Sequence, residues 1–174
     1  MLQAFHLSYE HNPLDGPLFS DVSISVAAGK KVALLGPNGC GKSTLLKLLS
    51  GEVELQHGRL SLSRGTSVSM LPQDFDFEFA GSLGDLFDRR SEELGGVEPG
   101  LSRRLSARLG LSDRLLSQRY STLSLGERMR AALVLLLLAE PEILLLDEPT
   151  NNLDSEALAW LERFLLETHC GVLM

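Results

Sequence analysis

The chain has 174 residues, a length that suits one domain with a core of its own. Its 44% hydrophobic and 22% charged content lies near the average of folded domains and excludes a disordered tract. A net charge of −7 gives no general affinity for nucleic acid or anionic lipid, so charge alone names no partner.

The N-terminal stretch Met1-Leu2-Gln3-Ala4-Phe5-His6 has no basic segment followed by an apolar one, so no secretion signal is predicted and a cytoplasmic location is expected. Residues 2–9 and 18–26 alternate apolar and polar side chains, with Phe19, Val22, Ile24 and Val26 on the apolar side of the second run. They predict antiparallel strands around a turn at residues 12–17. Residues 31–35 are a short apolar run ending at Gly36, and residues 43–50 carry Leu45, Leu46, Leu48 and Leu49 at helical spacing. Strand, glycine loop, helix is the reading. Residues 59–62 and 66–71 read as two more strands of the same lobe.

Between residues 82 and 139 the strand signals vanish. Leu83, Leu86 and Phe87, then Leu101, Leu105 and Leu109, then Leu115 and Leu116 recur at helical spacing, which predicts a helical lobe inserted in a single domain of residues 1–174. The longest apolar run, residues 131–139, is half of the roughly 20 residues a bilayer requires, so no direct membrane insertion is expected. Residues 143–146 form a buried-strand run, residues 155–168 are amphipathic through Leu158, Leu161, Phe164 and Leu165, and residues 171–174 open another apolar strand. Cys40 and Cys170 lie far apart with no CxxC pattern and read as reduced thiols.

Two stretches carry chemistry on their own. Gly36-Pro37-Asn38-Gly39-Cys40-Gly41-Lys42-Ser43 satisfies GxxxxGK[ST], whose glycines let successive backbone amides curl around a phosphate while the following helix points its positive end at it. Lys42 would reach the β- and γ-phosphates, Ser43 would place its hydroxyl on Mg2+, and the Thr44 hydroxyl would reach the α-phosphate. Ile143-Leu144-Leu145-Leu146-Asp147-Glu148 is a buried strand ending in two acids, where parallel sheets hold their ligands. Asp147 would hold Mg2+ through water and Glu148 would act as general base toward the attacking water. The bland alternative is a pair of acids that cap a loop before Pro149. Cys40, inside the nest of amides, is either a small filler or a thiol biased toward thiolate.

The middle of the chain narrows the family. Leu123-Ser124-Leu125-Gly126-Glu127, at the start of a long predicted helix, resembles the signature motif of ABC ATPases, whose consensus LSGGQ it departs from at Leu125 and Glu127. A serine and a glycine at a helix start form a second anion site, with Ser124 supplying a hydroxyl and Gly126 close backbone approach; an ordinary capped helix is the alternative. The resemblance implies an α/β P-loop NTPase core of mainly parallel sheet, with an N-terminal antiparallel β subdomain and a helical insert. It implies that Ser124 and Gly126 serve ATP on a partner ABC domain, in the same full-length chain or in a homodimer. It further implies that Gln73 links metal and attacking water to the helical lobe, that Tyr9 stacks on adenine, and that Asn152-Leu153-Asp154 touches the partner. Capping of the next helix by Asp154 is compatible with that.

The spelling of residues 147–154, together with Leu71-Pro72-Gln73-Asp74 and Glu127, is most similar to the N-terminal ABC domain of the soluble ABC-F proteins, tandem ATPases that act on ribosomes in translation or antibiotic resistance. On that resemblance the chain binds and hydrolyses ATP with Mg2+ as one half of a paired ATPase. The ATP-binding subunit of a membrane transporter and a non-hydrolysing nucleotide sensor are the alternatives. The family's switch histidine follows the strand that starts at Gly171, and His169 lies on the wrong side of it, so a C-terminally truncated fragment with slow turnover is expected.

Overall fold

The computed structural model describes residues 1–174 except Pro13, Asp15, Asp76, Phe77 and Asn152. Contacts divide the chain into two units. The first comprises Met1–Gln73, Pro141–Pro149 and Thr168–Met174, and the second Asp74–Glu140 and Thr150–Glu167.

The first unit holds two sheets and one helix. Strands β1 (Leu2–Tyr9), β2 (Phe19–Val26) and β4 (His57–Leu62) form an antiparallel sheet in the order β2-β1-β4. Period-two alternation turns Leu2 and Ala4 inward, and Leu7, three residues on, is buried with them across an irregularity in the strand. β1 is irregular: its pairing with β2 shifts register between Ala4 and Leu7 and again between Leu7 and Tyr9. His6 and Asp21 both take positive φ (53° and 57°) at this irregularity, and His6 Nδ1 lies 2.6 Å from Asp21 Oδ1 across the strand pair.

Strands β3 (Lys31–Val32), β5 (Val68–Leu71), β6 (Ile143–Leu146) and β7 (Gly171–Leu173) form a parallel sheet in the order β3-β7-β6-β5. All four residues of β6 are buried, as a central parallel strand covered on both faces requires. The strand expected over residues 31–35 shortens to two residues. Its ladder with β7 covers Lys31 and Val32, further bonds run from Val172 N to Lys30 O at 2.7 Å, from Met174 N to Val32 O at 3.1 Å and from Leu34 N to Met174 O at 2.6 Å, and Leu35 is 89% exposed. The strands expected at 59–62 and 66–71 both form, and they join different sheets. Helix α1 (Lys42–Ser50) buries Leu45, Leu46 and Leu49 with Leu2, Leu7, Val26, Met70, Ile143, Leu145 and Leu173 in one core shared by both sheets.

The second unit is helical. It contains α2 (Leu83–Glu93), α3 (Leu101–Arg108), α4 (Asp113–Leu116), a 3-10 turn at Tyr120–Thr122, α5 (Leu125–Leu137) and α6 (Ser155–Glu167). α2 and α3 both pack on α5, whose Met129, Ala131, Ala132, Leu133 and Val134 are buried. Arg130 bridges to α6 by placing its guanidinium 5.7 Å from the Trp160 ring centroid.

Candidate functional site

β3 leads into a loop that turns back on itself before α1. Gly39 and Gly41 take φ of 78° and 95°, the left-handed region that a β-carbon disfavours. At Gly41 space excludes a side chain as well, since a β-carbon there would lie 2.8 Å from Phe19 Cδ1 and 2.9 Å from Leu18 Cγ. Gly36 admits the chain by the same logic, because a β-carbon would fall 2.8 Å from Cys40 Sγ. Gly41 is also the residue that opens α1, and no side chain caps that helix start. The first-turn amides, around Lys42, Ser43 and Thr44, therefore point out with the positive end of the helix dipole behind them.

Lys42 folds back over the loop. Its Nζ donates to Gly36 O and Pro37 O, each at 3.0 Å, and stands 3.9 Å from Glu148 Oε1. The ammonium is thus held by two carbonyls and faces one carboxylate. Asp147 continues β6 past its ladder: its amide donates to Leu71 O at 2.9 Å, and the residue is only 4% exposed. That bond ties the two-acid stretch to the end of β5, where Pro72 and Gln73 follow and are exposed. Glu148 adopts φ 47°, unusual for a residue with a long side chain.

A cavity of about 230 Å3 lies against this loop, lined by Gly39, Gly41, Lys42, Ser43, Thr44, Glu148, Leu18 and His11. Of the residues the sequence singled out, Gly39, Gly41, Lys42, Ser43, Thr44 and Glu148 come together here, while Gly36, Pro37, Asn38, Cys40 and Asp147 are not part of the lining. Tyr9 and Gln73 do not line the cavity. Tyr9 stacks on Phe19 with centroids 6.2 Å apart and meets His11 edge-on at 5.2 Å. His11 was not singled out from the sequence, where a histidine next to a proline turn carries no periodic signal.

Ser124 and Gly126 belong to the second unit. Ser124 caps α5: its Oγ accepts from Glu127 N at 3.3 Å, while Glu127 Oε2 accepts from Ser124 N and from Ser124 Oγ, both at 2.8 Å. Gly126 faces α6, where a β-carbon would sit 3.0 Å from Ala157 Cβ. Leu125 is 37% exposed. Asp154 Oδ1 accepts from Ala157 N at 2.8 Å and so caps α6, while Asn152 lies outside the described residues. His169 is exposed beside Thr168, whose carbonyl accepts from Lys31 Nζ at 2.6 Å.

The fold agrees with comparison to known proteins. The family model described as ABC transporter matches residues 19–151. The chain belongs to the ABC transporter family, as one of its ATP-binding domains. The tylosin resistance ATP-binding protein TlrC of Streptomyces fradiae is 33% identical over 192 residues, covering 87% of this chain and 35% of that protein. The energy-dependent translational throttle protein EttA of Mycobacterium tuberculosis is 33% identical over 186 residues, covering 87% of this chain and 33% of that protein. The chain thus spans about a third of the length of these curated relatives. A solved ATP-binding subunit of an ABC transporter aligns over 99% of this chain and 78% of its own with a TM-score of 0.81 at 25% identity. The α/β P-loop NTPase fold with its added antiparallel sheet is as the sequence implied.

Proposed function

We propose that this chain binds MgATP in the cavity beside the phosphate loop and hydrolyses it as one half of a paired ABC ATPase of the ABC-F type, whose target is the ribosome. The observation that carries the reading is the start of α1. Uncapped amides, a lysine tethered to Gly36 and Pro37, and a carboxylate 3.9 Å from that lysine surround a cavity sized for a phosphate chain.

In this reading the phosphates take the place that backbone carbonyls now hold around Lys42, whose charge offsets theirs. Ser43 offers its hydroxyl to Mg2+ and Asp147 a carboxylate. Among the described residues no three His, Cys, Asp or Glu side chains cluster as a cage, so the metal would take most of its oxygens from phosphate and water. Bound Mg2+ would supply charge neutralisation between the phosphates. Glu148 accepts the proton of the attacking water, and Gln73 helps place that water. Ser124 and Gly126 would serve the nucleotide of a partner ABC domain, for which Glu127 must yield its hold on Ser124. The ribosomal target rests on two things: the ABC-F spelling of residues 147–154, and relatives named for translational throttling and for resistance to tylosin.

A transporter role remains the second reading, favoured by the fit to the ATP-binding subunit of a transporter. On the same proposal, residues 1–174 form a single ABC domain whose helical lobe spans about 82–139.

The test is MgATP binding and turnover by the purified chain and by Glu148→Gln. Wild type binds and turns over slowly, and the variant binds equally while its turnover falls about a hundredfold. Equal rates in the two proteins would point to a nucleotide sensor and overturn the hydrolytic reading.

A further inference from the structure

A second cavity, of about 260 Å3, lies within the helical unit between the end of α3 and one face of α6. Arg108 and Gly110 line it from the first side, and Trp160, Arg163, Phe164 and Glu167 from the second. Positions 160, 163, 164 and 167 share one helix face, so the sequence sets two rings, a guanidinium and a carboxylate side by side. The rings are nearly parallel, with centroids 5.7 Å and planes 11° apart. Gly110, at φ 73°, leaves room beside them: a β-carbon there would lie 3.3 Å from Arg130 Nη1 and 4.0 Å from Trp160 Nε1. Arg130, with its guanidinium over the Trp160 ring, thereby holds the indole in place.

We propose that this groove docks an acidic segment of a partner protein that carries an aromatic side chain, with the ring against Trp160 and Phe164 and its flanking carboxylates on Arg108 and Arg163. Charge decides the occupant. In the same unit Arg89, Arg90, Arg103 and Arg104 each have a carboxylate within 3.3 Å, supplied by Glu93, Asp113 or Glu98. Among the described residues Arg108 and Arg163 have no such carboxylate, and Arg108 donates instead to a carbonyl, Glu167 O, at 3.3 Å. Both residues are exposed. Two guanidiniums beside an aromatic floor suit carboxylates on either side of a ring, and the ring, once seated, shields those ion pairs from water. Nucleic acid fits less well. A phosphate chain extends well beyond a pocket the size of one side chain, and α6 offers it exposed Glu162 and Glu167 on a chain of net charge −7. Docking here needs no nucleotide in the phosphate loop.

Trp160 is the one tryptophan of the chain, so its fluorescence reads this groove directly. The purified chain is titrated with the capped peptide Glu-Glu-Phe-Glu-Glu, with its counterpart Gln-Gln-Phe-Gln-Gln, and with a single-stranded oligouridine RNA. The acidic peptide shifts Trp160 emission saturably, and the glutamine peptide binds about tenfold more weakly. Combining Arg108→Gln with Arg163→Gln weakens the acidic peptide about tenfold, whereas Arg163→Lys, which keeps the charge, retains most of the affinity. Four results overturn the proposal: no emission change with the acidic peptide, equal affinity for the two peptides, a double variant that binds as wild type does, or tighter binding of the RNA than of the acidic peptide. The last would make the groove a nucleic-acid contact.

Discussion

Two helices of the chain, α1 and α5, begin in opposite ways. α1 opens at Gly41, in left-handed backbone with no side chain to spend on its amides. α5 opens at Ser124, which closes a reciprocal pair of bonds with Glu127. Every helix start leaves four amides without intrahelical partners. Where the chain supplies serine and an acid three residues on, the positive end is satisfied internally and the result is stability. Where it supplies glycine, no side chain satisfies that end, and on the proposed reading the phosphates do. α2 repeats the first solution with Ser82 and Asp85, and so serves as an internal control.

That contrast can be broken at each helix start. The largest effect is expected at Lys42→Ala, which should cut MgATP affinity about a hundredfold while leaving unfolding stability within about 0.5 kcal/mol. Titration with a fluorescent nucleotide and urea melts read the two quantities, and a stability loss with binding kept would invert the assignment. Ser124→Ala should do the reverse in the isolated chain, lowering stability by about 1 kcal/mol with MgATP affinity at the phosphate loop unchanged.

Asp85→Asn gives the smallest effect and sharpens the comparison by pH. Hydrogen bonds from the Ser82 hydroxyl and amide hold the Asp85 carboxyl below its ordinary value of 3.8. A depressed folded value means that its contribution is present above the ordinary value and lost as pH falls through the folded one. The melting-temperature gap between variant and wild type should therefore shrink as pH drops from about 6 to about 3. A gap that widens on acidification would show that the carboxylate does not stabilise α2.

What could be read in the sequence follows from how local each feature is. The glycine loop, the acids after β6 and the alternative of a cap at Ser124 depend on residues within a few positions of one another, and the structure shows a glycine turn before α1, Asp147 and Glu148 directly after β6, and a reciprocal cap at Ser124. The strands at 59–62 and 66–71 were legible as strands, but their membership of different sheets depends on pairing with β1 and with β6, far away in the chain. The sequence marks Gly126 as open to a ligand, while the closeness of Ala157 comes from the packing of α6 some thirty residues on. The strand at 31–35 was overextended because apolarity marks burial, and at Leu35 burial does not occur. His11 gives no such signal in the sequence, since it lies past the end of β1 and meets the phosphate loop only through the cavity they both line.

The left-handed backbone at Glu148 sets two selective pressures against each other. Held at φ 47°, a glutamate costs about 1 kcal/mol relative to a residue at ease there, such as glycine or asparagine. Random variants of this chain chosen only for heat resistance would drift toward those residues at 148 and become sturdier proteins with no general base in the proposed site. On the proposed reading, glutamate at that position keeps the general base at a cost in stability, and one dihedral angle carries that trade.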